Sequence, residues 1–134
     1  MEIARVVRVS AWLALALWLA KAVAIWAAGG LDRSALEAPL FVAGLLAYAV
    51  GAFTLGLLLL GDRSAFLRVG AAVLTLVAAL LLISILQALL RALLPESAGW
   101  VTEEAGLWAS AVILVVATEW RLASPPRREQ TAAA

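Results

Sequence analysis

Four long apolar stretches separated by short polar punctuation dominate this chain. The first runs from Val9 to Ala28, preceded by Arg5 and Arg8 and closed by Gly29-Gly30, a helix-stop signal. Its length and its Lys21 argue against a cleaved secretory leader, whose apolar core is only about 7–15 residues, so it is expected to be a retained span. The second runs from Leu40 to Leu60. It is entered through Ser34-Ala35-Leu36-Glu37, the spacing of a capping box in which Ser34 caps and Glu37 reaches back. Pro39 falls near the first turn, where a missing N–H is tolerated.

Gly61-Asp62 ends the second stretch, and the connection onward is so short that the second and third spans are expected to form an antiparallel hairpin. The third stretch, uncharged from Val69 to Leu90, predicts a helix from about Ser64 to Leu94, where Pro95 stops it. A helix of about 30 residues exceeds a hydrocarbon core of about 30 Å and has to tilt or project. The fourth stretch, Ala105 to Thr118, has only 14 uncharged residues, a length at which a re-entrant helix competes. Trp108 and Trp120 bracket it as interface anchors, and Thr102 with Glu103 and Glu104 resembles a cap and acidic first turn, which favours a full span.

The pattern therefore predicts an all-α membrane protein. Four transmembrane helices, over about 9–28, 40–60, 66–94 and 103–122, form an up-down antiparallel bundle within one domain, residues 1–122. A polar tail carrying Pro125, Pro126, Arg127 and Arg128, over 123–134, is expected to be disordered and cytoplasmic. Composition agrees: 66% of the 134 residues are hydrophobic, 14% are charged and mean hydropathy is +1.05, far from the balance of a water-soluble domain.

Orientation follows from Lys and Arg in the short flanks. With the N-terminus inside, Arg5, Arg8, Arg63, Arg68, Arg121, Arg127 and Arg128 lie inside against Arg33 and Arg91 outside, so both termini are expected to be cytoplasmic. One lysine against nine arginines, with abundant alanine, suggests GC-rich bacterial coding and hence the bacterial cytoplasmic (inner) membrane.

Charge and residue types then remove several function classes. Net charge is +1 with the basic residues scattered, so no nucleic acid partner is expected. With no cysteine and no histidine, the usual zinc, copper, haem and iron–sulfur ligands are missing, and no cofactor or metal is expected. No Ser–His pair, cysteine nucleophile, metal-ligand cluster, phosphate loop or pair of carboxylates buried at one depth is legible, so the chain reads as no enzyme.

Ionisable residues inside a membrane helix are costly and are candidate sites. Lys21 lies about 22 Å from the inner surface. Either its stem carries the ammonium outward to the interface, or it joins Ser84, Gln87 and Arg91 of the third helix, whose i, i+3, i+7 spacing puts them at similar depth. The second arrangement would hold an anionic headgroup, a small anion, or an acidic residue such as Glu37 or Glu103. Glu119 falls near the inner surface, about 15–20 Å in depth from Lys21. It is expected to form an interfacial ion pair with Arg5, Arg8, Arg63, Arg68 or its neighbour Arg121.

Small residues repeat every four positions at Ala16, Ala20, Ala24 and Ala28 on the first helix and at Ala43, Ala47 and Gly51 on the second, with Ala52 and Gly56 as a further pair. Such stripes form either the internal seam of the bundle or a partner-docking face. Trp18 falls at mid-membrane, where its indole N–H needs an acceptor, so it is expected to face another helix, a cofactor or a second protein. Tyr48, Thr54, Thr75, Ser110 and Thr118 are expected to bond to their own or adjacent helices.

The expected function is a non-catalytic accessory or assembly subunit of a membrane complex; the alternative is a homo-oligomeric transporter or channel for an ion or small solute. The expected partners are the lipid bilayer and either a second copy of the chain or a larger membrane protein. In size and helix count alone the chain is similar to small multidrug-type transporters, which rely on a glutamate in the first helix where this chain has Lys21.

Overall fold

The computed structural model describes residues 2–31 and 33–124. The tail expected over 123–134 lies outside the described residues beyond Ser124, and so does Asp32. Four helices are long and apolar enough to cross a membrane: α1 (Ile3–Ala28), α2 (Glu37–Leu59), α3 (Ala65–Leu93) and α4 (Trp100–Ala123). No strand occurs among the described residues, and a short 3₁₀ turn, Glu96–Ala98, precedes α4.

Local chemistry explains the helix ends. Gly29 takes φ 88°, and the N–H groups of Gly29 and Gly30 bond to the carbonyls of Trp26 and Ile25, the paired bonds of a Schellman stop. The capping box forms in altered shape. Glu37 accepts from the Ser34 N–H at 3.4 Å, while the Ser34 hydroxyl caps Leu36 instead of Glu37. Ser64 caps α3 by accepting from the Leu67 N–H. At α4 the expectation needs correcting: the helix starts at Trp100 after Gly99 (φ 60°), so Thr102 is a helical residue and not a cap. Starting there extends α4 to 24 residues, long enough to span although only 14 in sequence are uncharged.

α1 and α3 each pack against both α2 and α4, with a thinner contact between α2 and α4. The seam of α1 is Val7, Ala11, Ala14, Trp18, Lys21 and Ile25, spaced alternately by four and three as in a coiled-coil heptad. This corrects the seam reading of the alanine stripe. A strict every-fourth row rotates by about 40° per step around a helix of 3.6 residues per turn. Ala16 and Ala20 are accordingly exposed, and Ala24 is half-buried. On α2 the row turns inward instead: Ala43 is half-buried, Ala47 and Gly51 are buried, and so are Ala52 and Gly56.

Glycine permits the closest approaches. A Cβ on Gly44 would overlap the Trp18 indole, and one on Gly56 would lie 2.5 Å from the Ala72 Cα and 2.8 Å from the Ala71 carbonyl oxygen. Ala72 is the buried residue of α3, whose Phe66, Leu74 and Ile85 are left to face lipid. At the end of α2 the last carbonyls take guanidinium donors from its neighbours: Arg68 bonds to Leu57 O and Arg121 to Leu58 O. These satisfy carbonyls that have no partner within the helix and place positive charge at the negative end of its dipole.

Replacing Gly56 by Leu is expected to destabilise the fold by about 1–3 kcal/mol, because the neighbour at that point is backbone and cannot swing away. Gly70, with nothing within 4 Å, is the control: Gly70→Ala is expected to be neutral or to stabilise by up to about 1 kcal/mol. Thermal melting in detergent reads both.

Candidate functional site: a charged recess at one end of the bundle

One end of the bundle collects charged side chains from all four helices around a recess of about 490 Å³. At its head, Lys21 Nζ of α1 lies 2.6 Å from Glu104 Oε1 of α4, with the two side chains 10% and 3% exposed. The Lys21 ammonium is thus held within the bundle by α4. It also stands 5.2 Å from the centre of the Phe41 ring of α2, within cation–π range. Taking two charges out of water is expensive, and each is tolerated here because the other is present.

Gln87 of α3 completes the inner wall. Its Nε2 donates to the Thr102 carbonyl at 2.6 Å, and its Oε1 accepts from the Gly106 N–H at 3.1 Å. In an undisturbed helix those two backbone groups bond to each other, being i and i+4, so the Gln87 amide bridges the backbone ladder of α4 one turn around Glu104. Gly106 makes this approach feasible, since a Cβ there would lie 3.0 Å from the Gln87 Cα. On the rim Arg91 pairs with Glu103 at 2.5 Å, and these side chains are 57% and 45% exposed. Glu37 and Phe41 close the α2 side.

The recess thus gathers Lys21, Gln87 and Arg91 with Glu37 and Glu103. Ser84 stands apart, exposed on α3 and outside the lining. The direct partner of Lys21 is Glu104, not Glu37 or Glu103. Sequence spacing contained a usable signal: Glu104, Leu107, Ala111, Leu114 and Thr118 continue the three–four seam of α4, whereas Glu103 is off that seam.

At the opposite end Glu119 accepts two hydrogen bonds from Arg8, at 2.9 and 3.0 Å, and one from the Trp12 indole at 3.1 Å. Arg5 is exposed and makes no side-chain hydrogen bond or ion pair among the described residues, and Arg68 serves α2 instead, so neither pairs with Glu119. The Arg8 and Glu119 side chains are 54% and 37% exposed, a geometry that anchors depth more than it stabilises.

Between the two charged ends the interior is apolar. Trp18 is buried on Gly44, donates to the Phe41 carbonyl at 3.3 Å and meets Tyr48 at 5.4 Å between ring centroids. Of the three surfaces considered for it, the one it faces is α2. Tyr48 donates to the Ala79 carbonyl, and Thr54, Thr75 and Ser110 bond back to their own helices. Thr118 departs from expectation: its buried hydroxyl has no partner among the described residues, nor have Trp108 Nε1 and Glu104 Oε2. Among the described residues no group of three or more His, Cys, Asp or Glu is arranged to hold a metal. Compared with family models, curated proteins and solved structures, the chain matches none.

Breaking the buried pair from one side is expected to cost about 3–5 kcal/mol in Lys21→Met, since Glu104 is then left buried and unpaired. The double replacement Lys21→Met with Glu104→Leu is expected to recover most of that loss. Denaturation of the single and double variants in detergent measures the coupling.

Proposed function

We propose that the chain is a non-catalytic accessory or assembly subunit of a larger membrane complex. It lies in the bacterial cytoplasmic membrane as an up-down bundle with both termini cytoplasmic. The observation that carries this reading is the pairing of a packed apolar middle, built around Trp18, Tyr48, Ala52, Leu114 and Val115, with ion pairs joining α1 to α4 at each end. Such a bundle is held as one body and offers its partners a preformed surface. The orientation is supported by Arg5, Arg8, Arg68 and Arg121 gathering at the end that holds Glu119, while Glu37, Glu103 and Glu104 gather at the other. Contacts such as Arg8 with Glu119, Lys21 with Glu104, Tyr48 with Ala79 and Gln87 with Gly106 suit helices that alternate in direction.

A homo-oligomeric transporter or channel is the second reading. It is favoured by Lys21 and Glu104, a buried and ionisable pair at the head of an open polar recess. The two readings separate on the mass of the native particle extracted with its surrounding lipid. The subunit reading expects a particle containing other polypeptides, and vesicles of the purified chain that pass no ions. A particle several times the 14.0 kDa chain, made of this polypeptide alone, with flux lost in Lys21→Met, establishes the transporter instead. A silent monomer contradicts both.

A further inference from the structure

Directly along the bundle from the charged recess lies a second opening, an apolar crevice of about 280 Å³ between α2, α3 and α4. The two follow one another along α3 and α4. Leu82 lines the crevice and Ile83 the recess; on α4, Leu114 lines the crevice two turns below Leu107 of the recess. The crevice opens sideways: Ala78 on α3 and Ile113 on α4 line it and are exposed, the latter at 44%. A polar chamber above a lateral apolar slot is the shape of an amphiphile.

The charges narrow its chemistry. Glu104 lines the recess, is 2% exposed, and has one buried oxygen, Oε2, without a hydrogen-bond partner among the described residues. Lys21 occupies the other oxygen. A buried carboxylate oxygen without a partner is costly, and a carboxylate only accepts, so a ligand that meets it carries an N–H or O–H. Lys21 and Arg91 pair with Glu104 and Glu103, so Glu37 leaves the recess lining with one excess negative charge, which favours a cationic donor over a neutral one and disfavours a purely anionic headgroup. Arg91, on the exposed rim, supplies a guanidinium suited to phosphate. An ammonium inside and a phosphate at the rim is a zwitterionic headgroup with its chain continuing into the slot.

We propose that the recess and crevice together bind one phospholipid with a primary-amine headgroup. Its ammonium donates to Glu104 Oε2, its phosphate lies against Arg91, and one acyl chain fills the crevice between α3 and α4. The test is native mass spectrometry of the delipidated full chain in detergent, titrated with dioleoyl phosphatidylethanolamine, its N-trimethylated choline counterpart, or phosphatidylglycerol of the same chains.

The choline headgroup keeps the charge and loses every N–H donor, so the ethanolamine lipid is expected to bind about tenfold more tightly than either alternative. Ala78→Phe, on an exposed wall outside the core, is expected to weaken it about tenfold with the melting temperature unchanged, and Arg91→Gln is expected to reduce its advantage over a neutral diacylglycerol. Glu104→Gln is expected to abolish the preference for ethanolamine over choline. Should that variant fail to fold, the lipid series on the parent and Ala78→Phe decide alone. Equal binding of ethanolamine and choline lipids overturns the amine assignment, a preference for phosphatidylglycerol overturns the charge argument, and full binding by Ala78→Phe overturns the crevice.

Discussion

Hydrocarbon offers no hydrogen bonds, so every polar group on a membrane helix has to find its partner within the protein, and this constraint organises the bundle. Lys21 and Glu104 meet it together at 2.6 Å, fixing the register of α1 against α4. Trp18 and Tyr48 meet it by donating to carbonyls of the neighbouring helices, at Phe41 and Ala79. Gln87 meets it by bonding to both the Thr102 carbonyl and the Gly106 N–H, which ties α3 to the same turn of α4 that carries Glu104. Each bond crosses between helices, so satisfying the polar groups and choosing the helix neighbours are one event.

These side chains reach across because glycine lies opposite them. Trp18 lies on Gly44, Gln87 on Gly106, and the backbone of α3 at Ala72 on Gly56. Close packing of this kind replaces the hydrophobic drive that lipid removes. It is concentrated on α1, α2 and α4, while α3 contributes Ala72 to the buried interior. The looser fit of α3 leaves the lateral crevice, and the charges that pin its far end frame the recess above.

Most of the architecture was legible because apolar run length and helix-stop chemistry are local properties. Gly29-Gly30, Ser64 and Pro95 mark the ends of α1 and α3 in sequence as they do in the structure. The start of α4 was not, because Glu103 and Glu104 read as a boundary when each is neutralised by a residue of another helix. The membership of the recess was half legible. Depth along each helix put Lys21, Gln87 and Arg91 together, but rotation about the axis decides which neighbours touch, and an error of one residue turns a helix by about 100°. That difference separates Glu103 from Glu104, removes Ser84 from the lining, and turns Ala16 and Ala20 out toward lipid.

The proposed function rests on the same pair, since Lys21 with Glu104 joins α1 to α4 and leaves the buried Glu104 Oε2 without a partner among the described residues. Lys21 is the chain's single lysine, so its Nζ gives one resolvable nitrogen signal. Solid-state NMR of the protein in lipid bilayers, with ¹⁵N on the lysine side chain and ¹³C on glutamate carboxyls, measures their dipolar coupling directly. Strong dephasing of the Nζ signal by a nearby carboxyl carbon, lost in Glu104→Gln, is the predicted result. An Nζ signal undisturbed by any glutamate carboxyl would contradict the buried pair and the account built on it.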